Sequence, residues 1–198
     1  MAPRYYATNF EAIIVETDRS LRNNSGVLIK EDGTVQAVWL SYLGDDKVYH
    51  YGLATSNFHP ILNEIRDDKI PKLRVLNVEF GTLTMNQAHH MGVSEAWIEK
   101  VEAADPERHQ LLKVERVSSY HDCGLNEGDV LLTLGKKLVK SSYDLDVMYK
   151  NDFLDAVVVR KGEEKAIRVS TVPTDDFETD HLVIFCGGTF QRPHQAVH

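Results

Sequence analysis

Val114-Glu115-Arg116-Val117, then Cys123-Gly124-Leu125-Asn126-Glu127-Gly128-Asp129, then Val130-Leu131-Leu132-Thr133-Leu134-Gly135 is the stretch on which the fold turns. Two glycines bracket Leu125 in an otherwise polar segment, where a tight loop needs positive φ. Asp129 closes the segment and has a short carboxylate suited to bonding nearby backbone N–H groups. Both flanks, 111–117 and 129–134, are apolar runs of strand length. Gly135-Lys136-Lys137 reads as the next turn. Outward from this run, 73–80 predicts a strand, and 84–90 and 94–104 predict helices, the second showing Trp97, Ile98 and Val101 on one face. Asp105-Pro106 ends it. Ser141 or Ser142 can cap a helix running to Tyr149 with Leu145, Met148 and Tyr149 on one side. A hairpin of 154–160 and 166–172 turns at Lys161-Gly162-Glu163. These roughly 100 residues are enough for a core of their own.

Residues 1–70 follow another pattern. Runs 12–16, 27–30, 34–43 and 48–55 are β-branched or aromatic, with Glu31-Asp32-Gly33 and Gly44-Asp45-Asp46 as turns. Phe58, Ile61, Leu62 and Ile65 then recur at helical spacing, with Ser56 or Asn57 as the cap and Pro71 as the stop. Asp67-Asp68-Lys69-Ile70-Pro71-Lys72 is a polar joint, and Pro173-Thr174-Asp175-Asp176 a second one. The expected organisation is residues 1–70 as the end of a larger β-domain, 72–173 as an independent domain, and 177–198 as the start of a further unit.

Composition narrows the function. The chain has 198 residues, 42% hydrophobic and 26% charged, which is too apolar for general disorder. Its net charge of −8, with no block of lysine or arginine, argues against nucleic acid as a partner. No apolar run approaches the ~18–20 residues of a membrane span. Met1-Ala2-Pro3-Arg4-Tyr5-Tyr6 lacks the apolar core of a secretory signal, so a soluble intracellular chain without membrane partners is expected. Cys123 and Cys186 are too few and too far apart for a disulfide framework or a cysteine zinc site, and each is expected as a small buried hydrophobe. His89 and His90 are adjacent and diverge on a helix; His194 and His198 share one possible face; neither pair makes a metal site. His121-Asp122-Cys123 lacks a fixed cation that would activate the thiol. No phosphate-binding glycine motif occurs, and no cofactor or metal is expected.

The strand, the loop Gly124-Leu125-Asn126-Glu127-Gly128-Asp129, the apolar strand after it and the late hairpin together resemble a PDZ domain of the HtrA serine-protease kind, over residues 72–173. That resemblance implies peptide binding by strand addition: a partner's C-terminus or other extended peptide lies along an open sheet edge. The matching residues are Val75, Leu76, Asn77 and Val78, running into Glu79 and Phe80, where the family has aromatic-apolar-Gly-apolar. The sequence departs at Val75 and Asn77. Leu145, Met148 and Tyr149 are the implied other wall.

Upstream, Ser20-Leu21-Arg22-Asn23-Asn24-Ser25-Gly26-Val27-Leu28 followed by Asp32-Gly33 resembles the nucleophile loop of trypsin-like HtrA proteases, with Ser25 at the nucleophile position. The family's oxyanion glycine is Asn23 here, one residue is missing after Gly26, and no histidine precedes Ser25, so Ser25 lacks its base. With Phe185 to His194 leading into another PDZ-like unit, and with Pro3-Arg4-Tyr5, Thr8-Asn9 and Trp39-Leu40, the chain is similar to the second, degenerate half of the fungal nuclear pro-apoptotic HtrA-like serine proteases. The fold class expected is mostly β: a partial trypsin-like barrel followed by an HtrA-type PDZ domain. The function expected is peptide and partner binding inside a larger endopeptidase of proteolysis and apoptosis, whose remaining domains are further partners. Two alternatives stay open: a hydrolase using Ser25 with His and Asp from elsewhere in the parent protein, and a purely structural spacer.

Overall fold

The computed structural model describes residues 9, 11–17, 23–43, 48–117, 122–145, 149–176 and 181–191. The fold is mostly β, as expected, and divides into two compact units: Phe10–Pro71, and Lys72–His198 together with Met1–Asn9.

In the unit Phe10–Pro71, strands β1 (Ile13–Ile14), β2 (Ser25–Ile29), β3 (Val35–Leu43) and β4 (Val48–Ala54) form an antiparallel sheet in the order β1-β4-β3-β2. The β2–β3 turn is made by Gly33 at φ 86°, with the Thr34 N–H donating to the Asp32 carboxylate at 2.8 Å. Ala37 and Trp39 are buried, whereas Val27, Val38, Leu40 and Leu53 on the alternate positions are exposed. Helix α1 (His59–Arg66) follows a 3₁₀ turn at Thr55–Asn57. The expected cap at Ser56 or Asn57 is not formed; Phe58 stands at the cap without a side-chain bond. Pro60 replaces it, because its ring presets a helical φ and leaves one fewer N–H to satisfy in the first turn.

The other unit contains β5 (Arg74–Val75), β6 (Val78–Thr84), α2 (Met85–His90), α3 (Glu95–Ala104), β7 (Gln110–Val117), β8 (Val130–Leu134), β9 (Lys137–Leu138), β10 (Phe153–Arg160), β11 (Glu163–Ser170), β12 (Val172–Pro173), β13 (Leu182–Phe185) and β14 (Gly188–Gln191). Its main sheet runs β11-β10-β8-β7-β6, with β9 beside β8; β5 pairs with β12 and β13 with β14. The side-chain period of two sends neighbours to opposite faces. Leu112, Val114 and Leu131 join one core with Leu76, Val78, Val139 and Val158. Leu111, Val130 and Leu132 join another, packed under α2 and α3 with Ala88, Ile98 and Val101. Helix α2 starts on a capping box: the Gln87 N–H donates to the Thr84 hydroxyl, and the Thr84 N–H to the Gln87 side chain.

Three further expectations are corrected. The strand over 73–80 is broken at Leu76 and Asn77, because Leu76 sinks into the core and the chain changes partner from β12 to β7. The helix expected from Ser142 to Tyr149 starts as one 3₁₀ turn, Ser142–Asp144, after which Leu145 is extended at φ −80°, ψ 143°. Asp144 takes the backbone N–H groups of Lys140 and Ser141, folding the turn onto its own start. Cys186 is exposed, in a β13–β14 turn where it and Gly187 both have positive φ, the geometry of a two-residue hairpin.

Cys123 is buried, and burial pushes its thiol up from the ordinary 9.0. The unfolded thiol ionises at a pH where the folded one does not. The contribution to stability is therefore whole below pH 9 and lost as pH rises through the raised folded value. We expect the urea midpoint to fall between pH 8 and pH 10 and a Cys123→Ala variant to lose much of that fall. A thiol reagent should meanwhile label Cys186 at once and Cys123 only on unfolding.

Candidate functional site

One edge of the main sheet is β6. Its inner margin is laddered to β7 with Val78 opposite Val117, Glu79 opposite Arg116 and Phe80 opposite Val114, the jump marking a bulge in β7 at Glu115. Among the described residues no strand pairs with its outer margin. Two groups on that margin are nonetheless engaged. The Phe80 N–H donates to the Asn9 side-chain oxygen at 2.8 Å, and the Asn9 side-chain amide donates to the Val78 carbonyl.

Phe80, Leu145 and Tyr149 are half-buried and pack against the core that contains Leu76 and Val78. Met148 lies outside the described residues. Glu79 is within 4.0 Å of Arg116 across the ladder. Val75 lies apart from this edge, in β5 opposite Val172. Asn77 needs no left-handed backbone, since its φ is not positive, which accounts for a loop that dispenses with the family's glycine. Among the described residues its buried side-chain nitrogen has no hydrogen-bond partner.

Two residues of this region were not singled out from sequence. Arg74 precedes the loop and is held by Thr171, donating to its hydroxyl and to its carbonyl, each at 2.9 Å, and by Asp152 at 2.8 Å. Its guanidinium is thereby committed within the protein. Asn9, quoted above only for the resemblance, is the other; nothing in its local sequence marks it as a partner of β6, because its partners lie 69 and 71 positions away.

The loop Gly124 to Asp129 is locked from beneath. Arg160 in β10 donates to both Asp129 oxygens, at 2.8 and 2.7 Å, and to the Gly124 carbonyl at 2.8 Å. The Asn126 N–H completes the carboxylate's shell at 2.8 Å. The bond to Asp129 raises the Arg160 pKa above its ordinary value, so the guanidinium stays charged across the working pH range.

Ser25 opens β2, opposite Leu40, and is exposed. Among the described residues its hydroxyl bonds neither a histidine nor a carboxylate. His50 in β4 is instead bonded through Nδ1 to the Ser41 hydroxyl at 2.8 Å. Among the described residues no three His, Cys, Asp or Glu side chains gather as a metal site, and no helix is long and apolar enough to cross a membrane.

No protein-family model matches the chain. It is 62% identical to the pro-apoptotic serine protease NMA111 of Phaeosphaeria nodorum over 100% of its own length and 20% of that protein's. The same protein of Pyricularia oryzae is 49% identical and that of Aspergillus niger 48%, each over 99% of this chain and 20% of theirs. Among solved structures, the HtrA-type protease AlgW with a decapeptide aligns with 75% of this chain and 45% of its own, at 19% identity and a TM-score of 0.45. The chain spans about a fifth of the length of the curated relatives it matches. Such identity, sustained from end to end, makes this chain homologous to one segment of the fungal pro-apoptotic serine protease NMA111.

Proposed function

We propose that residues 72–173 form a PDZ-type module that binds protein C-termini or other extended peptides by strand addition to β6, and that the chain serves as a regulatory, non-catalytic segment of an HtrA-like endopeptidase of nuclear proteolysis and apoptosis. Residues 1–70 are then the end of a degenerate trypsin-like domain, and 177–198 the beginning of a further PDZ-like unit. The remaining domains of the parent protease are the other partners.

One observation carries this reading. The outer margin of β6 is unpaired by any described strand, and Phe80 of that strand packs against the same core as the half-buried Leu145 and Tyr149. An extended chain laid there gains backbone hydrogen bonds from the edge and an apolar contact from the wall, the two ingredients of peptide recognition by an open sheet. The non-catalytic part rests on Ser25, which has no described base beside it.

The test is titration with a fluorescent decapeptide ending in Val-Leu-Val and with its C-terminally amidated twin. The free acid should bind about tenfold more tightly than the amide; equal affinity would mean that no carboxylate is recognised. Leu145→Glu should weaken binding of the free acid by at least about tenfold, since a charge replaces apolar contact area, with circular dichroism unchanged. A fluorophosphonate probe should leave Ser25 unlabelled.

A further inference from the structure

The β6 margin already carries a stand-in for a guest. A side-chain carboxamide presents the same complement as a peptide group, one carbonyl acceptor and N–H donors in a plane. The Asn9 carboxamide uses both: its oxygen accepts from the Phe80 N–H, and its nitrogen donates to the Val78 carbonyl. Val78 and Phe80 are two apart in an extended strand, so their backbone groups point to the same side, away from β7. They are two of the groups that any strand added at this edge must bond. Asn9 itself sits at φ 61°, a left-handed conformation that asparagine tolerates better than most residues. It reaches β6 from within the same compact unit.

We infer that Asn9 is an intramolecular ligand of the β6 margin, and that a peptide entering there must first displace its carboxamide from Val78 and Phe80. This rests on the strand-addition reading of β6. A single side chain holding two neutral hydrogen bonds is a weak occupant, unlike a paired strand, so the edge is guarded but accessible. The apparent affinity for a guest is lowered by the fraction of time that Asn9 is bound.

The experiment compares the full chain with its Asn9→Gly variant, which removes the carboxamide while keeping positive φ accessible. Two quantities are read: hydrogen exchange of the Phe80 amide, and affinity for the Val-Leu-Val decapeptide. Exchange of the Phe80 amide should accelerate about tenfold in the variant, and the decapeptide should bind on the order of tenfold more tightly. Unchanged exchange overturns the inference, whatever the affinity does, because Asn9 then does not hold the edge. Faster exchange with unchanged peptide affinity overturns it too, because Asn9 then does not compete. If neither protein binds the peptide while exchange accelerates, strand addition by peptides falls and Asn9 stands as the occupant of the edge.

Discussion

Replacing Arg160 with methionine should cost the Lys72–His198 unit about 3–5 kcal/mol, the usual result of removing one partner from a buried ion pair. The reason is asymmetry of burial. The Asp129 side chain is 1% exposed and that of Arg160 is 21% exposed, so the carboxylate has no route to water. Without the guanidinium it keeps the Asn126 N–H and loses three charge-assisted contacts at once, two of its own and the one that Arg160 makes to the Gly124 carbonyl. The loop before β8 then loses its tie to β10. Pairing the substitution with Asp129→Leu should recover a large part of the loss, because an apolar pair of similar volume needs no solvation. Urea unfolding of the single and double variants measures both effects. Additive losses would show that the two residues are not coupled.

Gly124→Ala should destabilise the same unit by about 2–4 kcal/mol, from two causes that act together. Gly124 has φ 84°, where an L side chain is strained. A Cβ built there would also lie 2.4 Å from the carbonyl oxygen of Arg168, a backbone atom that cannot swing aside. Gly128, at φ 88°, faces open space, so Gly128→Ala should cost only the conformational part, about 1–2 kcal/mol. Denaturation midpoints of the two variants separate the close approach from the backbone strain. Equal losses would mean that β11 moves freely away from the loop. That movement is opposed by the Ser170 N–H, which donates to the Cys123 carbonyl at 3.1 Å.

Much of the architecture was legible in the residues. The glycine pair and Asp129 marked a loop between apolar strands, and the structure gives both glycines positive φ and Asp129 a backbone N–H to accept. The polar joint at 67–72 coincides with the division between Pro71 and Lys72. Helix α3 and the β10–β11 hairpin follow from spacing and turn chemistry. What misled was local capping logic. Ser56 and Asn57 are good caps in isolation, yet Pro60 sets the start of α1. Ser141 does cap, but it caps a turn that ends at Leu145.

The candidate site divides along the same line. Phe80 and Leu145 were singled out through the family resemblance, and they share one core with Tyr149. Val75 belongs to β5 and its pairing with β12, which no property of residues 73–80 foretells. The ordering of strands and loops was written in local composition, because turns, periods and glycine positions act over a few residues at a time. Which groups are already spent was decided only in three dimensions. Arg74 is committed to Thr171 and Asp152, Asp129 to Arg160, and the Val78 and Phe80 backbone to Asn9. Those bonds join residues 31 to 97 positions apart, and hydrogen bonding depends on distance in space, to which separation along the chain is blind.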